Sequence, residues 1–239
     1  MSQFPYRPEP QPAWINASTA DSLERERVFF RSVYAWMFGG LLLTALASLA
    51  VVSSPTLKGI VIGYPIVWIV LMIAELGLVF YAGARLRTMS PTTAAAVFII
   101  YSLLTGLTLS VIFFVYRMPS IVQAFGAAAA MFGAMSVFGR ITRRDLSGWG
   151  SFLIMGVVGL IVASVINLFL HSSALDMAVA SIGVFIFAGL TAYKTQSLKQ
   201  FAHAGGVQAG TLAIYGALSL YITFINLFLS LLRLFGNRR

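Results

Sequence analysis

The sequence predicts an all-α integral membrane protein with seven transmembrane helices. Its 239 residues are 59% apolar and only 10% charged, whereas soluble domains are about 45–50% apolar and about 25% charged. The apolar residues form long runs, and the alternating segments of about ten residues that are typical of a membrane β-barrel are absent. The net charge of +9 comes from basic residues spread singly between these runs, a pattern that does not indicate a nucleic-acid-binding surface.

Seven apolar runs are long enough to cross a bilayer as helices, which takes about 17–25 residues. For example, 26 uncharged residues separate Arg31 from Lys58, and 33 separate Lys199 from Arg233. One run contains a single charged residue, Glu75. The predicted spans are centred near residues 42, 70, 104, 129, 160, 184 and 222.

The N-terminal segment differs in composition from the rest of the chain. Residues 1–28 hold four prolines and four of the seven acidic residues. We therefore expect residues 1–18 to be a disordered cytoplasmic tail, with no cleavable signal peptide. Ser18 and Asp21 have capping-box spacing, which predicts that a lead-in helix starts there. Residues 29–239 form the predicted seven-helix membrane domain.

The basic residues predict the orientation, because cytoplasmic loops of membrane proteins are enriched in Lys and Arg. If the N-terminus is cytoplasmic, 11 of the 16 basic residues lie on the cytoplasmic side and five on the other. The count favours this orientation. Arg238 and Arg239 oppose it, so a seventh segment that re-enters the membrane without crossing it stays an alternative.

The seventh span carries a stripe of polar residues. Ser219, Thr223, Asn226 and Ser230 recur at offsets of 0, 4, 7 and 11, which places them on one helix face. Lipid offers these groups no hydrogen bonds, so the face must meet other helices or a water-filled path. The sequence leaves both interpretations open: hydrogen bonding between helices, or the lining of an ion path.

Two other spans carry recurring small or polar residues. In the fifth span, Ser164, Asn167 and His171 share one face, and His171 is expected at the membrane interface. In the fourth span, small residues recur every four positions, which predicts close contact with another helix. These small residues are Gly126, Ala129, Ala130, Gly133 and Ala134.

Two charged residues lie within or beside the spans. Glu75 is the only acid in the middle of a span. It is a candidate for a protonated acid bonded across helices, for an ion pair, or for a cation-binding group. Lys194 lies at the end of the sixth span, where its side chain either extends to the interface or pairs inward with Glu75.

The residues that catalysis would need are not arranged in a recognisable site. The chain has no cysteine and two histidines, His171 and His203, too few for a seven-helix zinc hydrolase. Ser147 has Asp145 beside it but no histidine to act as a base. Lys194 is at a helix end, away from the mid-membrane position that a retinal Schiff base needs. We therefore expect a protein that is not an enzyme and carries no cofactor.

Five stretches of the chain resemble the bacterial branch of the Bax-inhibitor family. They are residues 74–78 (AELGL), 101–116 (YSLLTGLTLSVIFFVY), 131–153 (MFGAMSVFGRITRRDLSGWGSFL), 183–196 (GVFIFAGLTAYKTQ) and 215–236 (YGALSLYITFINLFLSLLRLFG). The resemblance covers roughly residues 28–239. It implies a fold in which the last helix is central and wrapped by the other six, which agrees with the polar stripe.

The resemblance also implies an activity, a pH-sensitive calcium leak, with Ca²⁺ as the transported ion. The family's sensor is a pair of aspartates: one lies in an aromatic-Asp-Thr-Gln motif ending the sixth span, and one in a Leu-Asp-Phe motif of the seventh. Here the motifs read Tyr193-Lys194-Thr195-Gln196 and Ile222-Thr223-Phe224. Lys194 and Thr223 therefore occupy the sensor positions, and both aspartates are missing.

This departure predicts that the proton-gated switch is impaired. A lysine repels Ca²⁺, and two carboxylates are no longer present to share a proton. Lys194 would instead hold a closed state by pairing with Glu75. The remaining candidate residues for an ion path or for pairing are Ser219, Asn226 and Ser230.

Two function classes stay open. The first is an ion-leak protein of the bacterial inner membrane with a cytoplasmic N-terminus. The second is a regulatory membrane protein that does not transport ions and binds stress-response or membrane-protease machinery, as the resemblance also implies. In both cases the surroundings are the lipid bilayer, and no nucleic-acid partner is expected.

Overall fold

The described part of the chain is almost entirely helical. This computed structural model describes the backbone of residues 13–85, 88–204 and 208–238, and the side chains of residues 23–85, 88–201 and 208–238. The helices within these ranges are α1 (Ala13–Ser53), α2 (Pro55–Gly63), α3 (Pro65–Arg85), α4 (Pro91–Leu109), α5 (Ile112–Val115), α6 (Met118–Ile141), α7 (Ser147–Leu170), α8 (Ser173–Ala204) and α9 (Ala209–Phe235).

Among the described residues, seven helical segments are long and apolar enough to cross a membrane. They are α1, α3, α4 with the short α5, α6, α7, α8 and α9. Each predicted span centre falls inside one of them, so the predicted fold class is confirmed. The short helix α2 lies in the connection between the first two spans.

The first helix begins earlier than the sequence predicts. α1 starts at Ala13, before the proposed cap at Ser18, and continues without a break into the first span. The predicted tail of residues 1–18 therefore overlaps α1 from residue 13 onward. Its first twelve residues lie outside the described part of the chain.

The starts of α2 and α4 have a local chemical cause. Each is preceded by a serine and begins with a proline, Pro55 in α2 and Pro91 in α4. Ser54 Oγ accepts a hydrogen bond from Leu57 N at 3.4 Å, and Ser90 Oγ accepts one from the backbone N–H of Thr93 at 3.2 Å. Both features favour a helix start, because the serine caps a free N–H and proline has none to leave unpaired.

α9 is the central helix. Of its most apolar 18 residues 72% are buried, against 11% in α3 and 11% in α7. α1, α4, α6 and α8 pack directly on α9, while α3 packs mainly on α4 and α7 packs on α8. The central position of the last helix is thus confirmed. Two of the six surrounding helices, α3 and α7, form an outer layer.

α9 runs the whole length of the bundle. Near its start, Thr211 Oγ1 donates to Met89 O at 3.1 Å, at the turn that connects α3 to α4. Just after its end, Asn237 N donates to Ser120 Oγ at 3.1 Å, at the start of α6. These two contacts lie at opposite ends of the bundle, so the re-entrant alternative for the last span is wrong.

The predicted contact face of α6 is not the one that packs. Gly126, Ala129, Ala130, Gly133 and Ala134 are exposed on the outside of the bundle. The buried face of α6 includes Ala124, Ala128, Ser136 and Gly139 instead. A Cβ added to Gly139 would clash with the backbone oxygen of Ala192, so the backbones of α6 and α8 touch at this crossing.

Candidate functional site

The polar stripe of α9 faces α8. Thr223 and Ser230 are buried, and Ser219 and Asn226 are half-buried. Three of the side chains donate to a carbonyl one turn earlier: Thr223 Oγ1 to Ser219 O at 2.9 Å, Asn226 Nδ2 to Ile222 O at 2.8 Å and Ser230 Oγ to Asn226 O at 2.8 Å. Their remaining acceptor sites are left for groups on neighbouring helices.

Lys194 supplies the polar contact from α8 to this stripe. Its Nζ donates to Thr223 Oγ1 at 2.9 Å and to Ser219 O at 3.2 Å. The side chain is therefore turned toward the central helix, and extension to the membrane interface, one of the two predicted alternatives, is wrong. The structure brings Lys194 and Thr223 into direct contact.

Glu75 has a different partner. Thr108 Oγ1 on α4 donates to Glu75 Oε1 at 2.6 Å, whereas Lys194 Nζ donates to Thr223 on α9. The predicted Glu75–Lys194 pair is not formed among the described residues. The two side chains do not pair because their helices have different neighbours: α3 packs on α4, whereas α8 packs on α6, α7 and α9.

The rest of the Tyr193–Gln196 motif fixes Lys194 in place. Gln196 Nε2 donates to Arg144 O at 2.8 Å, and Gln196 Oε1 accepts from Leu146 N at 2.8 Å, so this side chain holds the α6–α7 connection. Thr195 Oγ1 donates to Thr191 O at 2.7 Å within α8. The two Gln196 contacts fix the rotation of α8 that directs Lys194 toward α9.

A polar group on the opposite face of α9 was missed by the sequence analysis. Tyr221 is fully buried, and its hydroxyl lies 2.5 Å from Thr44 Oγ1. Thr44 Oγ1 also lies 2.9 Å from Ser102 O, to which it can donate, and Ser48 Oγ donates to Gly106 O at 2.6 Å. The signal available in the sequence was the four-residue spacing of Thr44 and Ser48 on one face of the first span.

A second missed group is an ion cluster at the end of the bundle. Glu26 is 7% exposed; its Oε1 lies 3.0 Å from Arg140 Nε and its Oε2 lies 3.7 Å from Lys199 Nζ. Arg140 also lies over the ring of Phe30, 4.8 Å from its centroid. The cluster ties α1, α6 and α8 together. From the sequence, Arg140 and Lys199 served only as orientation signals, and Glu26 only as one of the acidic residues of the N-terminal segment.

The connection after α6 holds the serine that was considered for catalysis. Ser147 N donates to Asp145 Oδ1 at 2.9 Å. A hydrogen bond with the Ser147 side chain, and secondly this backbone contact, hold the pKa of the exposed Asp145 carboxyl below its usual value. Within the described residues, no three His, Asp or Glu side chains come close enough to hold a metal ion.

Known proteins match this chain over nearly its full length. The sequence model of the family described as "Inhibitor of apoptosis-promoting Bax1" matches residues 26–239. The chain belongs to the Bax inhibitor family. The inner membrane protein YbhL of Escherichia coli K12 is 44% identical over 232 residues, which is 92% of this chain and 97% of YbhL.

Two further relatives of this Bax-inhibitor-family member have no described function. An uncharacterized protein of Deinococcus radiodurans is 43% identical over 220 residues, covering 91% of this chain and 94% of the relative. The uncharacterized protein RP147 of Rickettsia prowazekii is 40% identical over 217 residues, covering 89% and 91%. The resemblance stated from the motifs is confirmed, and the chain is a multi-pass membrane protein of this family.

Proposed function

We propose that this chain is a Bax-inhibitor-family protein of the bacterial inner membrane whose Ca²⁺ route along α9 is held closed by Lys194. The observation that carries the proposal is the contact of Lys194 Nζ with Thr223 Oγ1 at 2.9 Å. The inner-membrane placement is supported by seven membrane-spanning segments and by the name of the relative YbhL.

The charge of Lys194 opposes a divalent cation at this point. The resemblance implies two carboxylates here, and this chain has one ammonium and one neutral hydroxyl instead. At about 4 Å and an effective dielectric constant of about 20, an ammonium repels Ca²⁺ by about 8 kcal/mol. A route that passes the stripe beside Thr223 therefore meets a barrier that the acidic pair would not present.

The contact also removes the chemical basis of the switch. Two neighbouring carboxylates share a proton and change charge with pH. Lys194 and Thr223 cannot share a proton in this way, so their contact cannot act as the carboxylate switch that the resemblance implies. The route then lacks the carboxylate pair that would open it with pH, and we expect it to stay closed.

Calcium flux into proteoliposomes at pH 6 and pH 8 tests this proposal. We expect the natural chain to match protein-free vesicles at both pH values. We expect Lys194→Asp/Thr223→Asp to leak at least tenfold faster, at a rate that differs between the two pH values. Lys58→Asp/Thr88→Asp, which makes the same substitutions away from the α8–α9 contact, is the matched control and is expected to stay silent.

Each other result has a defined meaning. A pH-dependent leak in the natural chain would show that Lys194 does not close the route, and would contradict the proposal. Silence of the double variant, if it folds as a bundle with unchanged helical circular dichroism, would show that no route exists beside α9. The function would then be the alternative one, a regulatory membrane protein that binds stress-response or membrane-protease machinery.

A further inference from the structure

The polar face of α7 lines a cavity that the proposed function does not use. The cavity has a volume of about 470 Å³ and lies where the α7–α8 turn meets the C-terminal end of α9. Among the residues that line it are Ser164, Asn167 and His171, the three polar residues that recur along α7. Arg233 from α9 and Arg238, just beyond that helix, complete its polar wall.

The cavity carries an excess of positive charge. Arg238 Nη2 lies 2.9 Å from Asp176 Oδ2, so this arginine and this aspartate compensate one another. Arg233 is exposed and makes no hydrogen bond or ion pair with the described residues. Its guanidinium has five N–H donors in a planar fork that matches the oxygens of a phosphate group.

Further polar groups in the cavity lack partners in the described part of the chain. Asn167 Oδ1 accepts a hydrogen bond from Ser172 N at 3.0 Å, but its Nδ2 donates to no described residue. The exposed Ser164 hydroxyl also has no partner there. Ser164 lies six residues before the end of α7, about 9 Å deeper in the membrane, where hydrocarbon cannot satisfy a hydroxyl.

The walls of the cavity match an amphiphile better than a small ion. Its volume would hold about fifteen waters at the density of liquid water. It is bordered by membrane-facing apolar side chains, because Leu168 and Phe169 on the same turn of α7 are 69% and 77% exposed. A ligand with a phosphate head and hydrocarbon chains would place its head among the polar groups and its chains against this surface.

We propose that this cavity binds the phosphodiester headgroup of a phospholipid, with Arg233 contacting the phosphate and Asn167 and Ser164 donating to its deeper oxygens. The site lies at the far end of α9 from the ion cluster of Glu26, and its occupancy does not depend on whether Ca²⁺ crosses the protein. A soluble phosphate ester presents the same chemistry to Arg233, so the test separates the two sources.

Native mass spectrometry of the full chain in detergent, titrated with phosphatidylglycerol, measures the binding. We expect one saturable lipid on the natural chain. Arg233→Gln is expected to weaken its binding about tenfold, since a hydrogen bond to a charged group is lost. Arg117→Gln removes a cation at the same end of the bundle but outside the cavity, and is expected to change the affinity less than twofold.

A second variant acts without changing the charge. Ser164→Leu fills the deep part of the cavity from a membrane-exposed position, where leucine suits the surroundings of the folded protein. It is expected to weaken phosphatidylglycerol binding at least tenfold. Diacylglycerol with the same chains, which lacks the phosphate, is expected not to bind the natural chain in a saturable way.

The outcomes that overturn the proposal are specific. Equal affinity of the natural chain, Arg233→Gln and Ser164→Leu would show that the lipid binds elsewhere. Equal weakening by Arg117→Gln would show only a general attraction of the basic surface for anionic lipid. Binding of glycerol 3-phosphate as tightly as phosphatidylglycerol would identify a soluble phosphate ester as the ligand and overturn the lipid assignment.

Discussion

Lys194 and Lys199 lie on the same helix, five residues apart, and differ in what compensates their charge. Lys199 Nζ lies 3.7 Å from the carboxylate of Glu26, which Arg140 also contacts. Within the described part of the chain, the acceptors of Lys194 Nζ are neutral: a hydroxyl and a backbone carbonyl of α9. Five residues correspond to about 7.5 Å along a helix, so the uncompensated charge is the one placed deeper in the bundle.

This difference separates a charge that joins helices from one that has no opposite charge beside it. A buried carboxylate with two cations joins three helices. Removing the carboxylate leaves both cations without an opposite charge in a partly buried, weakly polar environment. Burying an ammonium beside neutral acceptors costs desolvation free energy. Burying an apolar side chain at the same place does not carry this cost. We therefore expect Lys194 to add little to the stability of the bundle, in keeping with the proposed role of its charge beside α9.

The largest expected effect on stability follows from removing Glu26. We expect Glu26→Ala to lower the free energy of unfolding by about 2 kcal/mol, less than for a fully buried pair, because Arg140 and Lys199 are 35% and 39% exposed. Unfolding in mixed micelles measures it. Glu24→Ala, at an exposed carboxylate 3.9 Å from Arg27, is the control and is expected to cost less than about 0.5 kcal/mol. Equal losses would show that the cluster does not hold the helices.

A smaller effect distinguishes the two lysines directly. Lys199→Met is expected to cost about 1 kcal/mol, because Glu26 loses one of its cations. Lys194→Met is expected to leave the free energy of unfolding within about 0.5 kcal/mol of the natural value or to raise it, because the cost of burying the ammonium disappears. The same unfolding experiment measures both. A greater loss for Lys194→Met than for Lys199→Met would contradict the assignment of roles.

The sequence was sufficient to predict the fold class and to single out two residues that meet at the site, although the predicted partner of Lys194 was Glu75. Long uncharged runs fix the number of spans because only a helix can bury its backbone polar groups in lipid. The Tyr193–Gln196 and Ile222–Phe224 motifs led to Lys194 and Thr223, which are in contact. The spacing of Ser219, Thr223, Asn226 and Ser230 predicted a single polar face, and that face meets α8.

What could not be predicted depends on which helix lies beside which. The sequence placed Glu75 and Lys194 on their spans. It did not show that α4 lies beside Glu75 and supplies its partner, Thr108. The small-residue face of α6 was assigned wrongly because Ala124, Ala128 and Gly139 recur on another face of the same helix. Lipid and protein interiors are similarly apolar, so composition does not show which face of a helix packs on another helix and which faces lipid. Tyr221 was missed because a tyrosine among apolar residues gives no sign of a partner on the first span.

The contact between Lys194 and Thr223 is the central claim, and a double-mutant cycle tests it most directly. The free energy of unfolding is measured for the natural chain, Lys194→Met, Thr223→Val and the double variant. We expect Thr223→Val to cost about 1 kcal/mol when Lys194 is present and less than about 0.3 kcal/mol in the Lys194→Met background. Glu75→Gln in the same two backgrounds is the control and is expected to show no coupling. An equal cost of Thr223→Val with and without Lys194 would contradict the account.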